Sequence, residues 1–295
     1  MSWMKDSVIP IFEKKYDVSV DLDTSFSDTG DLISKTILEK TNPRADIIMG
    51  ITPSNLQKLV DNDLLLTYKS PHLGKIRDEK IIFDKKNFVT PFDFGSLAIL
   101  YDPTRIDNLS TFSDLYKNDK NLIIPDPRSS STGLDFLIWS IALYKDGWRD
   151  QWGELKKGIL TVTSGWSEAF AKFEKGDAPM MVSYATDPAY SYQYYNQLKY
   201  KVFIPNEGGY IQIEGAGILK SSKNQELAKK FIDFTLSGEF QTELPLNQWM
   251  FPVVEVKLPE SYKYAVIPDK IVEVDPAIYQ NIDRYIDEWE ELFSR

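Results

Sequence analysis

Apolar residues follow a helical period in some segments and a strand period in others, and the two alternate along most of the chain. Residues 6–16 place Val8, Ile9, Ile11 and Phe12 on one side, which predicts an amphipathic helix. Residues 18–22 alternate apolar and polar, as a half-buried strand does. A helix is expected over 28–40, with Leu32, Ile33, Ile37 and Leu38 on one face, and a short strand over 45–50. Thr52 and Pro53 read as the N-cap and first residue of the next helix. After a long extended run over 88–101 the alternation resumes. Strands are predicted at 121–124, 160–163, 179–183 and 201–204, and helices at 132–144, 167–174 and 187–195. Gly208 and Gly209 interrupt the pattern before a strand-like run over 210–219. Beyond Asn224 the chain reads as mostly helical, closing with a long amphipathic helix over 275–293.

Strands separated by helices imply βαβ units and a largely parallel sheet, so the fold class is α/β. Two such series are linked by two extended segments, 94–101 and 209–219. That arrangement predicts two lobes joined by a two-strand hinge, with lobe I formed by residues 1–95 and 208–295 and lobe II by 96–207. Ligands of α/β folds lie at the carboxyl ends of strands, which here would face a gap between the lobes.

Composition narrows the chemistry. The 295 residues carry 34 basic and 44 acidic side chains, a formal net charge of -10. Nucleic-acid binders need a basic surface to displace counterions, so that class is disfavoured and a neutral or cationic small molecule is favoured. There is no cysteine, which excludes thiol nucleophiles, disulfides and Cys-ligated metals. The single histidine, His72, lies in a turn-like Ser-Pro-His-Leu-Gly segment without a nucleophile elbow, so a Ser-His-Asp triad is not expected. Neither a Walker loop nor a G-x-G-x-x-G motif occurs. Carboxylate pairs such as Glu290-Glu291 sit on charged helix faces, where solvation is their usual role.

The aromatic residues carry more information. Phe231 and Phe234, and likewise Tyr285 and Trp289, stand at helical spacing and read as core. Trp166 follows Gly165 at a strand-to-helix junction, Tyr184 ends a strand, and Tyr190 lies one turn into the next element. Trp249 and Trp3 also fall outside a core pattern. Rings gathered at strand ends can box a flat or cationic ligand, at about 0.5–2 kcal/mol per cation–π contact. The segment from Asp126 to Gly133, with Ser129, Ser130, Ser131 and Thr132, joins a strand to a helix. It serves either as an anion site or as an ordinary N-cap run. The run Tyr190-Ser191-Tyr192-Gln193-Tyr194-Tyr195 holds adjacent phenols of the kind that ligate ferric iron.

Several segments carry a family resemblance. Gly165-Trp166-Ser167-Glu168-Ala169, the stretch from Ser183 to Tyr190, and Asn247-Gln248-Trp249-Met250-Phe251-Pro252-Val253 resemble the periplasmic thiamine-binding proteins of bacterial ABC importers. So do Asp126-Pro127-Arg128-Ser129-Ser130 and Pro91-Phe92-Asp93-Phe94-Gly95, and the likeness runs nearly end to end. The resemblance implies a type II periplasmic-binding fold that closes on thiamine (vitamin B1) or its phosphates. It implies ring contacts from Trp3, Trp166, Tyr184, Tyr190 and Trp249, and Ser129 and Ser130 at the hydroxyethyl or phosphate end. Asp28, Thr29 and Gly30, a looser match, would add a polar contact from the first lobe. No cofactor and no catalysis are implied. The expected partners are the vitamin and an inner-membrane permease, met by a monomeric receptor outside the cytoplasm, either free or lipid-anchored. The family's leading strand has no counterpart before residue 6, so a truncated N-terminus is expected. Two other readings accompany this one: a ferric-iron receptor of the same fold using Tyr194 and Tyr195, and a thiamine-degrading enzyme. Enzymes of the latter kind attack with a cysteine, which this chain lacks.

Overall fold

The computed structural model describes residues 1–26, 29–117 and 119–294. Its strands are β1 (Ile47–Ile51), β2 (Leu65–Leu66), β3 (Val89–Tyr101), β4 (Leu122–Pro125), β5 (Ile159–Thr163), β6 (Met180–Tyr184), β7 (Lys201–Phe203), β8 (Ile211–Leu219) and β9 (Phe251–Pro252). The α-helices are α1 (Val8–Tyr16), α2 (Thr29–Leu38), α3 (Pro53–Asp61), α4 (Ser131–Tyr144), α5 (Trp148–Gly158), α6 (Trp166–Glu174), α7 (Asp187–Tyr195), α8 (Gln225–Thr235), α9 (Gly238–Gln241), α10 (Leu244–Asn247), α11 (Pro276–Gln280) and α12 (Ile282–Ser294). The chain divides into two units, Met1–Phe94 with Ile213–Tyr262 and Gly95–Gln212 with Lys263–Arg295. Both β3 and β8 run from one unit into the other.

In the first unit β1 and β2 pair antiparallel with β8, while β9 pairs antiparallel with β3 at Asp93 and Phe94. The apolar side of α1, with Val8, Ile9 and Phe12, packs on Phe92, Ala216, Ile218 and the α8 residues Phe231 and Phe234. Thr52 closes a capping box with Asn55 at the start of α3, as the Thr-Pro pair predicts. Residues 18–22 are not a strand. The Val20 N–H donates to Glu13 Oε1 at 2.7 Å instead of to a neighbouring strand, and Val18, Val20 and Leu22 still cover the core. Alternation here records one buried side, not a ladder.

The second unit has parallel strands at its centre. β4 pairs parallel with both β5 and β6, and the second half of β3 pairs antiparallel with β6 and β7. The largely apolar α4 lies against them, burying Phe136, Leu137, Ile138 and Trp139.

The C-terminal residues belong to this second unit and not, as expected, to the first. The physical reason is twofold. Ile278, Ile282 and Trp289 join the same core as Phe136 and Trp152, with Trp289 edge-on to Trp152 at 5.9 Å. Upstream, the Gly209 N–H donates to the Lys270 carbonyl and the Val272 N–H to the Gly209 carbonyl, each at 2.8 Å. A Cβ at Gly209 would fall 2.6 Å from Pro268, so the pair of glycines admits the returning chain. The closing helix is also broken in two, at Asn281, into α11 and α12. Among the described residues no helix is long and apolar enough to cross a membrane.

Candidate functional site

Because β4, β5 and β6 are parallel, their carboxyl ends share one edge of the second unit, and four of the five candidate residues of this unit lie at those ends or within five residues beyond them. The register sets Pro125 opposite Thr163, and Ile123 opposite Met181. After β4 the chain turns at Asp126, whose carboxylate accepts the Arg128 N–H and guanidinium and whose carbonyl accepts the Ser130 N–H at 2.8 Å. The turn delivers Ser129 and Ser130 to the start of α4, where Ser130 is the N-cap. Ser129 is committed, its hydroxyl donating to the Ser164 carbonyl at 2.8 Å. Ser130 differs: its Oγ is buried and has no hydrogen-bond partner among the described residues. A buried orphan hydroxyl beside the positive end of a fourteen-residue helix is suited to an anionic or strongly accepting group. Gly133 lets α4 come this close, since a Cβ there would lie 2.4 Å from the Pro125 carbonyl oxygen.

After β5, Trp166 is the first residue of α6. Glu168 ties down this start by accepting the Ser164 N–H at 3.0 Å and its hydroxyl at 2.9 Å. The indole stacks on Phe170, one turn on, at 5.0 Å and 19°, and lies 6.4 Å from the Tyr184 ring. Tyr184 ends β6, and its phenol shares a 2.8 Å hydrogen bond with Thr132 of α4. Tyr190 on α7 meets the edge of Phe170 at 6.0 Å and the Tyr194 ring at 4.7 Å. Burial pushes the Tyr190 phenol up, aided by Tyr195, Tyr194, Glu174 and Asp187. Trp166, Tyr184 and Tyr190 are each only half-buried, so none is sealed in a core.

Beneath Trp166 lies a group that sequence reasoning missed. The indole N–H donates to Ser183 Oγ at 2.8 Å, and the Ser183 hydroxyl donates to the Asp187 carboxylate. Asp187 is 5 % exposed. Burial pushes its carboxyl up to about 7, although the Ser183 hydroxyl and the Tyr184 N–H pull the other way. Its sequence context, a helix-opening Asp-Pro, signals an N-terminal position and gives no sign of burial.

The first unit holds the remaining candidates. Trp3 lies in a 3₁₀ turn (Ser2–Lys5), and its indole N–H donates to Gln248 Oε1 at 2.8 Å. Gln248 Nε2 in turn donates to Glu214 Oε2 at 3.2 Å, so Trp3 is fixed to the segment that carries Trp249. Trp249 itself adopts φ 58° and stacks on Tyr262 at 6.3 Å and 14°. Glu214 is 8 % exposed; desolvation first, and then its charge, push the fully buried Asp93 carboxyl well up. Thr29 and Gly30 open α2, and a Cβ at Gly50 of β1 would touch both Thr29 and Met1. Asp28 lies outside the described residues. The candidates thus form two sets: Ser129, Ser130, Trp166, Tyr184 and Tyr190 on the second unit, and Trp3, Thr29, Gly30 and Trp249 on the first.

Tyr194 and Tyr195 are 60 % and 40 % exposed, and the Tyr195 phenol donates to Glu174 at 3.3 Å. Among the described residues no cluster of three His, Asp or Glu side chains is placed to hold a metal ion.

Comparison with known proteins identifies the family. The family model for bacterial extracellular solute-binding proteins matches residues 1–242. A thiamine-binding periplasmic protein of Escherichia coli K12 is 32% identical over 97% of this chain and 89% of its own length. One from Brucella melitensis is 32% identical over 96% and 86% respectively. The solved structure of a periplasmic thiamin binding protein superposes with a TM-score of 0.87 at 30% identity, covering 97% of this chain and 91% of that one. A ferric binding protein from Campylobacter jejuni, at 24% identity and a TM-score of 0.79, shares the fold. With the matched model spanning most of its length, the chain belongs to the bacterial extracellular solute-binding protein family.

Proposed function

We propose that this protein is the thiamine-binding receptor of a bacterial ABC importer, capturing thiamine or its phosphates outside the cytoplasm and delivering the vitamin to a membrane permease. The observation that supports this most is the parallel edge of the second unit. There a half-buried indole, a half-buried phenol and an orphan serine hydroxyl at a helix start lie at the ends of three adjacent strands, with a second phenol on the helix after β6. Thiamine is a flat cation with a hydroxyethyl tail. Its rings suit aromatic faces, each cation–π contact contributing about 0.5–2 kcal/mol. Its tail, free or phosphorylated, suits Ser130 and the positive end of α4. The reading assigns ring contacts to Trp166, Tyr184 and Tyr190 in the second unit and to Trp3 and Trp249 in the first. Thr29, Gly30 and Asp28 are assigned the polar contacts near α2. Binding and release need no bond to be made or broken, so no catalytic group is assigned. The ferric reading has less behind it, because the iron-binding neighbours share the fold alone.

Titration calorimetry with thiamine, its monophosphate and its diphosphate tests the proposal. Saturable binding of at least one is expected. Heats of dilution alone for all three overturn it.

A further inference from the structure

Trp166 presents its ring at the candidate site, yet the indole is aimed by residues that do not belong to the ring cluster. We propose that Asp187 is a positioning residue for this site: acting through the Ser183 hydroxyl, it fixes the Trp166 indole and sets negative charge behind the ring that faces the ligand. The inference rests on the cationic-ligand reading above for its consequence, but the positioning itself does not require a ligand.

In the ionised state of Asp187 the chain of hydrogen bonds runs one way. When Asp187 is ionised it can only accept, so the Ser183 proton goes to Asp187, and the Ser183 oxygen is left to accept the Trp166 N–H at 2.8 Å. A neutral hydroxyl polarised by a buried anion is a stronger acceptor than a hydroxyl alone. It pulls on the indole N–H and leaves the ring face richer in electron density, which strengthens attraction for a cation lying on that face. Burial keeps the charge effective, since Asp187 is 5 % exposed and Ser183 fully buried. The first unit repeats the arrangement with other residues: the Trp3 indole N–H, the Gln248 amide, and the 8 % exposed Glu214. In both, a neutral side chain stands between an indole and a buried acid.

Burial and two groups of β6 govern the Asp187 carboxyl. Ser183 and the Tyr184 N–H face it from β6. On its own helix α7 it acts on Tyr190, which Glu174 of α6 also influences. Lys263, from the segment packed on α7, lies 5.2 Å from the Tyr192 ring.

Two measurements on the full chain test the proposal. The first needs no ligand: Trp166 emission is isolated as the difference between the protein and its Trp166→Phe variant, and followed with pH. A shift centred near pH 7 is expected, and it should vanish in an Asp187→Asn background. A Trp166 signal that ignores pH, or that titrates unchanged in Asp187→Asn, overturns the proposal. The second is calorimetry with thiamine and with its neutral aminopyrimidine half. Asp187→Asn should bind thiamine about tenfold more weakly than wild type at high pH, close to wild type at low pH, and the neutral fragment equally at both. Ser183→Ala should weaken thiamine binding at both. An equal loss for both ligands at every pH would mark Asp187 as merely structural and overturn the proposal. Should wild type not bind thiamine while the emission arm behaves as expected, the positioning role stands and the ligand assignment fails.

Discussion

Replacing Asp187 with Asn should make the protein more stable relative to wild type as pH rises, the reverse of what removing a salt-bridged carboxylate does. Asp187 is buried, and its acceptance of the Ser183 and Tyr184 protons does not offset the loss of water, so its carboxyl is pushed from 3.8 to about 7. The unfolded chain therefore releases this proton near 3.8, whereas the folded chain keeps it until about 7. Between those values the native state binds one more proton than the unfolded state, and stability falls by about 1.4 kcal/mol per pH unit. The contribution is fully present below the lower value, is lost across the window, and changes no further above the upper one. Asn carries no proton to lose and retains an oxygen for Ser183. Measured from about pH 4.5 to about pH 7.5, the wild type should therefore lose about 3 kcal/mol relative to Asp187→Asn. Urea unfolding of both proteins across that range, followed by far-ultraviolet circular dichroism, gives the difference directly, because every other titrating group cancels. A stability difference that stays constant with pH would show Asp187 to ionise as a solvated carboxylate does. The burial argument would then be refuted.

Three further outcomes are expected. Trp166→Ala and Trp249→Ala should each weaken thiamine binding at least tenfold with little change in urea midpoint, since both rings are half-buried; a collapsed midpoint with unchanged affinity would assign them to packing. Gly133→Ala must displace backbone, because its Cβ would meet the Pro125 carbonyl at 2.4 Å. It should cost about 1–3 kcal/mol and weaken the diphosphate more than thiamine, as calorimetry on the two ligands would show. Trp289→Ala, which empties the contact of α12 with Trp152, should cost about 3–5 kcal/mol in chemical denaturation; a near-neutral change would mean that α12 adds little to the second core.

The second unit was more legible from sequence than the first, for a physical reason. Its candidate residues follow parallel strands, and a parallel strand must be followed by a connection that begins at the same edge. Periodicity that locates the ends of β4, β5 and β6 therefore also locates Ser130, Trp166 and Tyr184 near one another, with no long-range contact needed. In the first unit Trp3 and Trp249 are 246 positions apart and follow no shared edge. Trp3 is tied to the residue before Trp249 by the Gln248 amide, whose bonds no local pattern announces. The C-terminal helices failed for the same reason in reverse. Their amphipathic period shows that one face is buried, but nothing in a period says against what. The choice between the two cores was made by Trp289, whose ring fits beside Trp152, and by the glycines at 208 and 209 that admit the returning backbone.

Asp187 marks a different limit. Sequence pattern treats aspartate before proline as a helix start, where a carboxylate is solvated and stabilising. The same position here is buried, with Ser183 and the Tyr184 N–H against it, so its charge is costly and its effect is felt through Ser183 on a ring. A carboxylate placed in direct contact with a cationic ligand would bind it with a charge-assisted interaction and hold it with a slow release. One placed behind an indole instead modulates the cation–π contact of that ring, itself worth about 0.5–2 kcal/mol. For a receptor of the proposed kind, which must give its ligand up again, the weaker arrangement is the more compatible with release. The Trp166 and Trp3 indoles share this arrangement, each joined through one neutral side chain to a buried acid.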